Sequence, residues 1–246
     1  MATSFSPSRS DVERYRRFRA LSTELSHKIV QTIPEHIYDE VGDAIGILHN
    51  GVLVFDSEHI TGVLMDCCLY DWFENGKNLV QRYAETHPAE SGSDESYLLS
   101  AYSRAIYRVL VTETSAPDAG LYCRDIVRHE DLFLMDLAMS RSFGAGEAAR
   151  GRAFASRTIP LGDFWMTDGA FLPINSKEAF LNASKGMEYR QNLLLQGPGG
   201  MALSIVRACL AAGAADWVGY EPVEAQTKKR RIEPRFPGFK RRRRQK

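Results

Sequence analysis

The stretch IYRVLVTETSAPDAGLYCRDIV, Ile106 to Val127, is where the sequence changes period. Upstream, apolar residues recur at spacings of three and four, the mark of helices with one buried face. Here β-branched and aromatic residues alternate with polar ones, and SAPDAG breaks the run with turn formers. The new pattern persists: RHED turns the chain, LFLMDLAM is a short apolar strand, and GRAFASRTIPL and FWMTDGAFLPI follow a glycine-containing loop. In the last of these, Asp168-Gly169 between apolar residues predicts a hairpin turn. Five or six short strands in about 70 residues, with no helix between them, predict an antiparallel sheet curled into a small barrel.

Toward the N-terminus, residues 1–9 read as disordered, being small and polar with Pro7. Ser10 and Glu13 form a capping box. Val12, Tyr15, Phe18, Leu21, Leu25, Ile29 and Ile33 follow at helical spacing as far as Pro34. Arg14, Arg16, Arg17 and Arg19 fall on the other face, either solvated or a second basic contact surface. A second helix starts at Pro34. Asn50-Gly51 is a turn, a third helix starts at Ser57, and Asn75-Gly76 breaks it. KNLVQRYAETH and YLLSAYSRAIY continue the helical segment. Downstream, SKEAFLNA with Ser176 as N-cap, MEYRQNLLL, and the run from Met201 to near Ala215 after QGPGG read as helices. The expected fold class is α+β: N-terminal helices over 1–104, a small antiparallel barrel-like β module over 105–175, C-terminal helices over 176–217, and a disordered basic tail on a flexible linker over 218–246.

The formal net charge of zero hides an asymmetry. Of 31 basic and 31 acidic residues, 11 basic and 1 acidic lie in KKRRIEPRFPGFKRRRRQK, Lys228 to Lys246. That leaves 20 basic against 30 acidic in residues 1–227. A basic segment on an acidic body either docks on that body or is offered to an anionic partner. The cysteines Cys67, Cys68, Cys123 and Cys209 show no CxxC or metal-type spacing and read as reduced, buried thiols of an intracellular protein. No apolar leader or spanning run is present, so a cytoplasmic protein is expected, with a nuclear one only in a eukaryotic host.

YDWFENGKNLVQRY, SRAIYRVLV, GLYCRDIV and DLAMSRSFGAGEAARGRAF carry a resemblance. From about Asp56 to Ile174 the chain resembles a group of uncharacterised bacterial proteins in which a helical segment precedes a small β module, and which often end in a SEC-C zinc motif. The resemblance implies that architecture and no established activity. The chain departs from the pattern at its end, because no cysteine lies beyond Cys209. The Lys/Arg run stands where the zinc knuckle would be. If such a knuckle docks on ribosomes or other anionic partners, a bare polybasic segment can do part of that by charge.

Chemistry-bearing motifs are sparse. His36, Asp39 and Glu40, with His49 or His59, lack the spacing of a metal site. QGPGG before a helix lacks the strand and lysine of a phosphate loop. Gly144, Gly146 and Gly151 of FGAGEAARG do not sit in a βαβ unit. No GxSxG occurs, and the pairs Asp39-Glu40 and Glu130-Asp131 are placed for solvent. Tyr107, Tyr122, Phe164 and Trp165 of the barrel read as core or as a stacking surface for bases. No catalytic residue, cofactor or metal is assigned. The expected nucleic-acid contacts are Lys228, Lys229, Arg230, Arg231, Arg235, Lys240, Arg241, Arg242, Arg243, Arg244 and Lys246, which neutralise phosphates, with Phe236 and Phe239 to stack on bases. The expected function is association with nucleic acid or a ribonucleoprotein, with a protein–protein adaptor that uses the β module as a peptide-binding surface as the alternative and an enzyme of unknown class third.

Overall fold

Two Asn-Gly pairs show how local chemistry shapes this chain. At Asn50-Gly51 the φ values are 52° and 73°, and at Asn75-Gly76 they are 54° and 78°. Both residues of a tight hairpin turn must adopt this left-handed region, which asparagine and glycine tolerate best. The turns close two minimal hairpins, β1 (Leu48–His49) with β2 (Val52–Leu53) and β3 (Phe73–Glu74) with β4 (Lys77–Asn78). The computed structural model describes residues 5–55, 57–174, 179–182, 184–185 and 197–214. Among these the hairpins punctuate a helical layer of α1 (Arg9–Val30), α2 (Glu35–Ile45), α3 (Glu58–Tyr70), α4 (Leu79–Thr86) and α5 (Asp94–Tyr102).

The sheet follows as the period change requires. β5 (Ile106–Ala116), β6 (Gly120–Asp125), β7 (Glu130–Met135), β8 (Ala153–Pro160) and β9 (Trp165–Ile174) close into a barrel of order β5-β6-β7-β9-β8. Alternate side chains face opposite ways. Leu110, Leu121, Leu132, Leu134 and Phe154 fill the interior, with Met139 and Phe143 packed against them. The opposite set, including Val109, Phe133, Ile159 and Met166, joins the core of the helical layer. Fully buried side chains of this kind each contribute roughly 1.5–3 kcal/mol. α6 (Leu137–Phe143) leaves β7, and α7 (Gly200–Ala211) packs on α2 and the barrel. No helix among the described residues is long and apolar enough to cross a membrane.

Several local expectations need correction. The α1 capping box is Ser8 with Asp11, not Ser10 with Glu13: the Asp11 carboxylate accepts the Ser8 N–H at 2.9 Å while the Asp11 N–H donates to Ser8 Oγ at 3.2 Å. The chain before it is not free, since the Phe5 ring lies 5.0 Å from Phe133 and the Phe5 carbonyl accepts the Tyr122 hydroxyl at 2.9 Å. LFLMDLAM is not one strand. Asp136 accepts the Met139 N–H at 2.9 Å and thereby caps α6. The barrel is antiparallel except where it closes, through the parallel contact of Leu134 with Trp165.

The largest correction concerns Asp168-Gly169. The turn between β8 and β9 falls earlier, around Gly162 (φ 81°), where Leu161 N–H donates to Phe164 O at 2.8 Å. Thr167 and Phe171 both pair with β8, opposite Thr158 and Ser156. Asp168, Gly169 and Ala170 therefore stand opposite Arg157 alone, as a bulge in one continuous strand. Only Gly169 takes a positive φ, 117°, so the two-residue left-handed turn cannot form. Ser176 and MEYRQNLLL lie outside the described residues.

Candidate functional site

α3 buries Val63, Leu64, Cys67 and Cys68 against the other helices and the barrel. Asp66 sits inside this apolar run, and Asp71 ends the helix. They are 2% and 8% exposed, where a charge is tolerated only with a partner. The partner comes from the outward face of β8. Arg157 Nε donates to the two Asp66 oxygens at 3.1 and 3.2 Å, and Nη2 to Asp66 Oδ2 at 2.9 Å. Nη2 also donates to Asp71 Oδ2. The rings of Tyr70 and Tyr107 flank the guanidinium at 4.7 and 5.1 Å, a geometry that adds cation–π attraction.

The β9 bulge brings a third carboxylate. Asp168 accepts the Ala170 N–H at 3.0 Å. Asp168 is half-buried beside exposed Gly169. Burial, then the charge of Asp66, pushes the Asp168 pKa well above the usual carboxylate range. Burial also raises Asp71, to about 6, against the pull of Arg157. Arg157 stays firmly protonated, because Asp66 and Asp71 outweigh the cost of its burial. Burial likewise holds the Cys67 thiol well above its ordinary value. Asp66, Cys67 and Asp71 bring oxygen and sulfur atoms within 4.8 Å of one another. A metal ion would meet a protonated thiol there, and the guanidinium already fills the place of a cation.

A second arginine enters the barrel interior. Arg108 Nη1 donates to Asp125 and to Glu130, both at 2.7 Å, and Nε to Thr158 Oγ1 at 3.1 Å. Its guanidinium lies 4.7 Å from the Trp165 ring. Asp125 also accepts the N–H groups of Val127 and Arg128 at 2.9 and 3.0 Å.

The expected sites scatter. His36 lies against Trp72 and His59 against Phe171, while Glu40 accepts the Trp72 indole N–H at 2.8 Å. Tyr107 and Phe164 are core, and Tyr122 and Trp165 are half-buried. The basic face of α1 is largely spent within the molecule. Arg14 stacks near Phe18, Tyr97 and Phe164, Arg17 pairs with Asp94, and Arg19 Nη1 donates to the Thr167 carbonyl at 2.7 Å. Gly144, Gly146 and Gly151 belong to the loop between α6 and β8. Within QGPGG, Gly199 serves packing: a Cβ there would stand 2.0 Å from the Asp71 carbonyl oxygen. Lys228, Lys229, Arg230, Arg231, Arg235, Phe236, Phe239, Lys240, Arg241, Arg242, Arg243, Arg244 and Lys246 lie outside the described residues.

Fold and site together define an α+β protein whose helical layer is fastened to a small barrel by a buried arginine and two aspartates. The chain belongs to a family of unknown function (DUF7986), whose model matches residues 9–192. The match contains Asp66, Asp71, Arg157 and Asp168, while residues 228–246 fall beyond it. No curated protein and no solved structure matches the sequence.

Proposed function

We propose that this protein associates with nucleic acid or a ribonucleoprotein in the cytoplasm through residues 228–246, with the acidic body as a rigid recognition module. One observation carries the reading: 11 of the 31 basic residues are concentrated in the last nineteen positions, on a body with 20 basic and 30 acidic residues. Pro234, Pro237 and Gly238 divide the segment into two basic clusters and interrupt any helix. Phosphate neutralisation with counterion release then supplies affinity without sequence preference. The body opposes binding by repulsion, which restricts contact to the segment itself. The pair Asp66 and Asp71 lends no support to catalysis, because both carboxylates are committed to Arg157.

Titration of labelled single- and double-stranded oligonucleotides tests this. With about half of the basic side chains engaged, log K against log salt should fall with a slope of about −4 to −5 on duplex DNA. Replacing Arg241, Arg242, Arg243 and Arg244 by Ala should weaken all sequences alike and flatten the slope by about 2. Negligible binding at low salt, equal for the full chain and a chain cut after Thr227, would remove the reading. A protein–protein adaptor would then stand, with the β module as its peptide-binding surface.

A further inference from the structure

A cavity of about 220 Å³ opens between α1, α6 and the β9 bulge, with Tyr15, Arg19, Asp136, Met139, Gly169 and Phe171 in its lining. It holds one basic and one acidic side chain. Arg19 spends Nη1 on the Thr167 carbonyl at 2.7 Å. Among the described residues its Nε and Nη2 make no hydrogen bond, and no acid pairs with it. That edge of a guanidinium is the fork that grips a carboxylate by two parallel bonds. Gly169 leaves the fork open. A Cβ there would stand 2.9 Å from Nη2, so a side chain would have to displace the guanidinium. The φ of 117° at this position favours glycine as well.

Asp136 is 6% exposed. Its Oδ1 accepts the Met139 N–H at 2.9 Å and its Oδ2 the Thr167 hydroxyl at 3.0 Å. A carboxylate offers about four lone-pair sites, so Asp136 keeps capacity for a further donor. The Ser142 hydroxyl, also in the lining, makes no hydrogen bond among the described residues. Burial pushes the Tyr15 hydroxyl up to about 12, so it stays a donor at neutral pH. Met139 and Phe171 supply apolar wall.

We propose that this cavity binds a small α-amino acid. The ligand carboxylate sits on the Nε and Nη2 fork of Arg19, its ammonium is offered to Asp136, and its short side chain meets Met139 and Phe171. Arg19 and Asp136 match the two charges of such a zwitterion and leave the loaded site neutral. A carboxylate without an amine would face Asp136 as a like charge, and an amine without a carboxylate would face Arg19 in the same way. At roughly 30 Å³ per water-sized group the cavity takes about seven such groups, which suits alanine or valine and leaves no room for tryptophan. β-bulges gather beside sites of this kind because they re-aim a strand locally. The site lies wholly in the body and is independent of residues 228–246.

Nuclear magnetic resonance titration of the full, isotope-labelled chain tests the site. L-Alanine and L-valine should shift the Arg19 Nε–H and Gly169 N–H signals and reach saturation. Propionate and ethylamine each carry one of the two charges and should bind at least about tenfold more weakly, the loss expected for one charged hydrogen bond. Arg19→Gln keeps an amide N–H for the Thr167 carbonyl and should weaken L-valine by about the same factor or more. The wild-type titrations stand without any variant. No saturable shift at Arg19 with either amino acid would overturn the proposal. So would propionate or ethylamine binding as tightly as L-valine, or a folded Arg19→Gln chain that binds L-valine unchanged.

Discussion

Arg108 and Arg157 leave neighbouring positions of the same paired strands, β5 and β8, toward opposite sides of the sheet. Tyr107 pairs with Arg157 and Arg108 with Ser156. Both arginines are at most 3% exposed, yet they solve burial differently. Arg108 meets Asp125 and Glu130, Arg128 adds a second cation at 3.4 Å from Asp125, and Glu130 opens to solvent. Two cations and two anions balance at an edge where water can screen them. Arg157 is sealed between layers, with one cation for the two carboxylates of Asp66 and Asp71. Burial there raises Asp71 to about 6, against the pull of Arg157. Solvent access therefore separates the two sites more than the count of ion pairs does.

The sharpest way to break this comparison is to remove each cation in turn. Arg157→Met should cost about 3–5 kcal/mol, because it leaves Asp66 and Asp71 buried without compensation. Urea denaturation would read this as a large fall in the midpoint, or as failure to fold. Arg108→Met should cost less, about 2 kcal/mol, near the value of one charged hydrogen bond. Asp125 keeps Arg128 and two backbone N–H groups. Equal losses from the two variants would mean that the solvent edge does not matter.

The same contrast explains what was legible in the sequence. The barrel followed from the change of period at Ile106, and the breaks at Asn50-Gly51 and Asn75-Gly76 from their turn residues, because those signals are local, whereas the two-residue strands that make each a hairpin left no pattern to read. Asp168-Gly169 is also a local signal, but neighbours on both sides had already committed to β8, so tertiary pairing turned it into a bulge. The site was missed for a related reason. Asp66 in GVLMDCCLYDW and Arg157 in AFASRTIP are charges inside apolar runs, which marks them as buried and paired. They stand 91 positions apart, and nothing in either run names the other. The basic segment was the reverse case, conspicuous in composition and outside the described residues.

The smallest expected effect bears most closely on the role of solvent. Glu130 pairs across the strands with Asp125, so two acids stand directly opposite, bridged by Arg108. Like charges in that position repel. Glu130→Gln removes an attraction to Arg108 and a repulsion from Asp125 together, while keeping an oxygen to accept the 2.7 Å bond. The Glu130 side chain is 55% exposed, and exposed pairs contribute between about 0 and 1 kcal/mol. The substitution should therefore shift stability by less than about 1 kcal/mol, and the shift should shrink as salt is raised. Denaturation at low and high ionic strength would measure it. A loss as large as that of Arg108→Met, unchanged by salt, would show that Arg108 depends on Glu130 as a sealed partner. The two arginine sites would then obey the same rule.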